Sequence, residues 1–152
     1  MSDARREGKG MASNQQLFQA ELHYRPSAPP VQLHEHSSTS GDLLGSGDGI
    51  VLGATLQGRV QWSLFEVQGP ICETNIVGVI TTDDGATVEF ETRGYGLVPD
   101  PNQAHLWEMP AVAKFWTESP GYQWLNTTLA RWDGTFDMHR GVHTYQAYYH
   151  QR

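Results

Sequence analysis

The sequence predicts an all-β chain, a single-domain antiparallel up-and-down β-barrel of about eight to ten strands with a lipocalin-like cavity. Three observations point there. Apolar and polar residues alternate with period two in one segment after another. The 16 glycines and 8 prolines cut these segments short, and nowhere do apolar residues keep helical spacing for long. The five Trp, six Tyr and five Phe offset a hydrophobic fraction of only 38%, because each buried ring withdraws roughly 150–250 Å² from water.

Residues 1–15 are polar, small and charged and read as a disordered leader, leaving 16–152 for the barrel. LFQAELHY then sets Phe18, Ala20, Leu22 and Tyr24 against Gln19, Glu21 and His23, the pattern of a half-buried strand. RPSAPPVQ breaks pairing with its prolines, and LHEHSSTSGDLLGSGDG reads as a long loop with a short extended piece inside. IVLGATLQGRVQWSLFEV is strand-like, with Gly53 and Gly58 marking corners. Cys72 to Thr82 and residues 86–93 form a hairpin around Asp83-Asp84-Gly85, where Asp bonds its own backbone and Gly supplies positive φ. LVPDPNQAHLWEMP reads as a second Pro-rich loop, and AVAKFWT, WLNTTLARWDGTF and VHTYQAYYHQ supply the remaining strands.

Charge narrows the function classes. The formal net charge is -7, and Lys9 and Lys114 are the only lysines. A basic footprint for nucleic acid is missing, and anionic membrane surfaces are repelled. The single cysteine, Cys72, excludes an intrachain disulfide framework. No apolar run has the length of a signal core or a membrane span, so the expected setting is the cytoplasm, as a monomer or homodimer.

Several motifs carry candidate chemistry. Asp84 is first a turn residue, and at a cavity rim its carboxylate becomes a candidate general base; Glu21 and His23 are the alternatives. Glu89, Glu91 and Arg93 share one strand face, directed either to solvent or to the lumen. In WLNTTLARW, read as a strand, Trp124, Asn126, Thr128, Ala130 and Trp132 share one face, giving two indoles, an amide and a hydroxyl. Tyr24, Trp62, Trp116 and Tyr148 are available as further aromatic walls, with Arg93, Tyr95 and Asn126 as groups that polarise a ligand oxygen. The His34-Glu35-His36 and His139/His143 pairs lack a third ligand, so neither a metal nor another cofactor is expected. GSGDG runs into a strand rather than a helix, which excludes a phosphate loop, and Ser63 has no nucleophile elbow.

GIVLGATLQGRV, TTDDGA, RGYG, FWTESPGYQWLN and the tyrosine-rich terminal strand occur in an order that resembles the bacterial and fungal family labelled domain of unknown function 3237. The resemblance spans roughly residues 17–150, and its most specific pieces are TDDGA (82–86) and the Pro-x-Tyr-x-Trp-Leu-Asn run (120–126). It implies a soluble antiparallel β-barrel with a central cavity and transfers no activity. QWSLFEV stands where many relatives carry a glycine-rich segment ending in Asp-Trp, so Trp62-Ser63 marks a departure. The expected function is a cofactor-independent isomerase, cyclase or lyase acting by general acid–base chemistry on an aromatic or polyketide-like molecule. The alternative is a non-catalytic carrier for a small apolar ligand.

Overall fold

The computed structural model describes residues 15–34 and 41–150; the expected leader up to residue 14, and Glu35 and His36, lie outside them. Nine strands follow one another along the chain: β1 Gln16–Tyr24, β2 Asp42–Leu52, β3 Gly58–Val67, β4 Cys72–Thr82, β5 Thr87–Gly96, β6 Leu106–Glu108, β7 Ala111–Trp116, β8 Leu129–Asp137 and β9 Val142–Tyr149. β1 to β5 pair antiparallel in succession, β5 then pairs with β7, β7 with β8 and β8 with β9, and β9 closes the ring on β1. The short β6 and the longer β7 lie along the same edge of β8, at Thr135–Asp137 and Leu129–Trp132 respectively. The result is an eight-stranded closed antiparallel barrel plus one extra strand, as the alternating pattern predicts.

Period two fixes what points inward. Phe18, Ala20 and Leu22 on β1, Val60, Trp62 and Leu64 on β3, and Tyr145 and Ala147 on β9 are all buried. Their rings meet edge-on: Phe18 lies 5.6 Å from Trp132 and 6.4 Å from Phe115, and Tyr24 lies 5.0 Å from Trp62. Glycines make room for them. A Cβ at Gly134 would collide with the Tyr145 ring, and one at Gly45 with the Tyr24 ring.

Three expectations need correction. GSGDG lies inside β2 rather than in a loop, since Gly45 and Gly47 face the Tyr24 and Trp62 rings and leave no space for a side chain. The second Pro-rich loop contains β6, paired with the end of β8. WLNTTLARW is not one strand: residues Pro120–Thr127 form a 3₁₀ segment, and β8 begins only at Leu129. Local bonding overrides the alternation there. Asn126 accepts from the Thr117 N–H (2.8 Å) and donates to the Thr117 carbonyl (3.0 Å), while the Thr128 hydroxyl donates to the Trp124 carbonyl (2.9 Å).

The 3₁₀ segment caps one end of the barrel by burying Leu125. Tyr122 donates to both carboxylate oxygens of Asp84 at 3.0 Å, tying the cap to the β4–β5 turn. The opposite end, where the β3–β4 and β8–β9 turns lie, has no such cap among the described residues. The expected cavity is therefore a mouth at one end rather than a hollow along the axis, because rings fill the rest.

Gly134→Ala is expected to destabilise the fold by about 1–3 kcal/mol through overpacking against Tyr145. Gly121→Ala, where an added Cβ meets nothing within 4 Å, should change stability by less than about 0.5 kcal/mol. Urea unfolding of both variants measures the contrast; equal effects would show that the ring does not sit over Gly134.

Candidate functional site

The mouth is a pocket of about 530 Å³ lined mainly by Tyr24, Leu64, Glu66, Trp107, Met109 and Phe136, with Met138 and Gly141 at its lip. That volume falls in the range of small-molecule sites, and the lining is mostly apolar with few polar groups. Strand alternation puts those groups there. Trp62, Leu64 and Glu66 follow one another on the inner face of β3, so the last inward residue before the turn is a carboxylate.

Glu66 is only 8% exposed, and its Oε1 accepts from Gln68 Nε2 at 2.7 Å. Its charge acts on its neighbours. The Tyr24 phenol is pushed up to about 12, first by burial and then by the Glu66 charge, so it stays a proton donor at neutral pH. Burial, with the same charge, also raises the Cys72 thiol and keeps it protonated and poorly nucleophilic.

His143 packs behind two rings of the mouth, Phe136 and Tyr24. It is 0% exposed, stacks on Phe136 at 4.2 Å, and lies 5.4 Å from Trp62 and 5.8 Å from Tyr24. Among the described residues neither of its ring nitrogens has a hydrogen-bond partner, and Trp132 Nε1 has none either. Burial alone pulls the imidazole down to about 3, so it is neutral at pH 7.

The candidates named from sequence are dispersed. Tyr24 and Trp62 meet inside the barrel, and Trp62 Nε1 donates to the Asp48 carbonyl at 2.9 Å. Glu21 and His23 pair at 2.7 Å on the outer face of β1, in a polar groove of about 610 Å³ with Arg25, Asp48 and Arg59. Asp84 sits at the capped end, where bonds from Thr82 and then Tyr122 hold its carboxyl below the usual range, the direction opposite to a base tuned upward. Arg93 pairs with Glu91 at 2.7 Å on the outer face, and Tyr95 lines a separate outer groove beside it. Trp116 stacks outside the wall on His34 at 4.7 Å. Asn126 braces the cap, Trp124 is 37% exposed on it, and Tyr148 lies outside under the Arg131 guanidinium at 4.7 Å.

Glu66, Trp107 and Phe136 were not among those candidates, and His143 was named only with His139 as a metal pair lacking a third ligand. Alternation alone places Glu66 with Trp62 and His143 with Tyr145, so the signal for these two lies in the strand pattern. Trp107 carried none, because it stands on the three-residue β6 inside a Pro-rich stretch.

No family model matches the chain, and no curated protein matches it. Solved structures share the fold. A β-barrel-like protein from Acinetobacter baumannii AYE is 22% identical, with a TM-score of 0.65 over 90% of this chain and 94% of its own. A protein of unknown function from Clostridium acetobutylicum is 19% identical, with a TM-score of 0.64 over 89% of this chain and 96% of its own. An enzyme from Penicillium herquei is 17% identical, with a TM-score of 0.50 over 88% of this chain and 92% of its own. At these identities the likeness establishes the barrel alone. Among the described residues no helix is long and apolar enough to cross a membrane.

The buried imidazole generates a pH prediction. His143 binds a proton near pH 6.5 when unfolded and near about 3 when folded, so the unfolded state holds more protons between these values. Its contribution is fully present above pH 6.5 and is lost as pH falls toward 3, by up to about 1.4 kcal/mol per pH unit. His143→Leu removes both the titration and the unpartnered nitrogens, so it should be neutral or stabilising at pH 7.5 and gain on wild type at pH 5. Urea unfolding at the two pH values checks this; parallel losses in both proteins would contradict a neutral buried imidazole.

Proposed function

We propose that the chain binds a small, largely apolar, aromatic or polyketide-like molecule in the barrel mouth and catalyses an isomerisation, cyclisation or elimination on it by general acid–base chemistry. The observation that carries this reading is the placement of one nearly buried carboxylate, Glu66, and one protonated phenol, Tyr24, in the same apolar pocket. Glu66 takes a proton from an acidic C–H or O–H of the bound molecule, and the Tyr24 hydroxyl donates a hydrogen bond to the oxygen on which charge develops. In an isomerisation or cyclisation Glu66 returns the same proton at another atom; in an elimination the leaving group departs with the electron pair of the broken bond and carries that proton away, so no further reactant is consumed. Trp107, Phe136 and Leu64 hold the ring system and exclude water from the proton transfer. A distant neighbour described as an enzyme is compatible with such a role. The carrier alternative is less well supported, because the packed interior leaves no deep hollow to enclose a cargo.

The reading is tested without knowing the natural substrate by using 2-tetralone, a bicyclic ketone with exchangeable protons. Wild-type protein in D₂O is expected to speed its α-proton exchange, with Glu66→Gln slower by about 10²–10⁴ and tetralone affinity, read from tryptophan quenching, within about threefold. Exchange that is unaffected by Glu66→Gln would overturn the catalytic role, and loss of binding with no loss of exchange would do the same. Unchanged tight binding without any exchange would favour the carrier.

A further inference from the structure

His105, Asp137 and His139 come together at the lip of the mouth from two separate stretches of chain. One ligand atom from each lies within 4.8 Å of the others. His105 immediately precedes β6, Asp137 ends β8, and His139 lies in the β8–β9 turn. The backbone clamps them: Met138 N–H donates to the His105 carbonyl at 2.8 Å. Asp137 Oδ1 accepts the N–H groups of His139 (3.0 Å) and Arg140 (3.4 Å), while Oδ2 accepts no hydrogen bond among the described residues. The imidazoles of His105 and His139 stack with centroids 3.9 Å apart and planes within 2° of parallel. Trp107 Nε1 donates to Met138 Sδ at 3.1 Å, joining this turn to two residues of the pocket wall.

From this constellation we infer a binding site for a divalent first-row transition ion, with His105, His139 and Asp137 as its ligands. Two imidazoles and one carboxylate are a donor set that zinc and ferrous iron both accept. Three protein ligands leave at least one position open, the arrangement of reactive rather than structural sites. Parallel stacked rings direct their lone pairs alongside one another, so ion binding must tilt the imidazoles apart. Both histidines are at the surface or only half-buried, which leaves room for that rotation. The fixed Asp137 carboxylate is already held for the third bond. An ion here completes its shell with water or with an oxygen atom of a molecule seated in the adjoining mouth. The inference rests on these three side chains alone and stands whether or not Glu66 acts as a base.

The test is calorimetric titration of the chelator-stripped full chain with Zn²⁺, and then with Co²⁺ to read the coordination from its visible bands. One equivalent is expected to bind, with His105→Ala and His139→Ala each weakening it by more than the roughly ten- to hundredfold that loss of an outer-shell partner costs. Asp137→Asn keeps the Oδ1 acceptor of the turn and should weaken binding as well, with an unchanged melting temperature in the absence of metal. His34→Ala/His36→Ala is expected to retain the equivalent. Wild type binding Zn²⁺ no better than the His105→Ala/His139→Ala variant would overturn the site, as would loss of the equivalent in the His34/His36 variant instead.

Discussion

The structure depends on aromatic rings packing directly over bare backbone. Gly45 and Gly134 lie on the inner wall where the rings of Tyr24 and Tyr145 press against the main chain, and Gly78 receives the Phe90 ring in the same way. With side chains at those positions an eight-stranded barrel would have to widen or lose its rings, because interiors are close-packed and tolerate little added volume. The concession is one of backbone freedom, since glycine in a strand is otherwise destabilising. In return a chain with modest aliphatic content obtains a filled interior.

That filling is uneven along the axis, and the unevenness positions the site. At one end the 3₁₀ segment drives Leu125 into the barrel and is pinned to the β4–β5 turn through Tyr122 and Asp84. At the other, the last inward positions of β1, β3 and β8 are Tyr24, Glu66 and Phe136, and their side chains line a pocket. The two stretches most specific in the sequence, TDDGA and the run from Pro120 to Asn126, thus meet each other at the capped end. They build the floor of the barrel, whereas Tyr24 and Glu66 lie at its mouth.

The fold was legible because period two is a direct consequence of strand geometry, and it repeats in β1, β3, β5 and β9 whatever the neighbours are. Legibility failed where local bonding or close approach decides. Glycines at 45, 47 and 49 look like loop punctuation until the Tyr24 ring over Gly45 and the β1 backbone against Gly47 and Gly49 are known. WLNTTLARW alternates as well as any strand here, yet the Asn126 side chain satisfies both backbone groups of Thr117 and turns the chain. The site was less legible than the fold. Asp84, Arg93 and Trp116 carry suitable chemistry, but only tertiary pairing shows that they face away from the pocket. His105 and His139 lie far apart in sequence, and nothing short of the β6–β8 register brings them together.

The proposed function requires ligand to enter the uncapped end of the barrel, whose pocket Met109 and Met138 line. Of the four methionines, those two line the mouth, whereas Met1 and Met11 precede the first strand. Titrating ¹³C-methyl-methionine-labelled protein with 2-tetralone should therefore shift the Met109 and Met138 methyl resonances in a saturable way. Saturable binding with Met109 and Met138 unmoved would put the ligand elsewhere on the molecule and contradict the account.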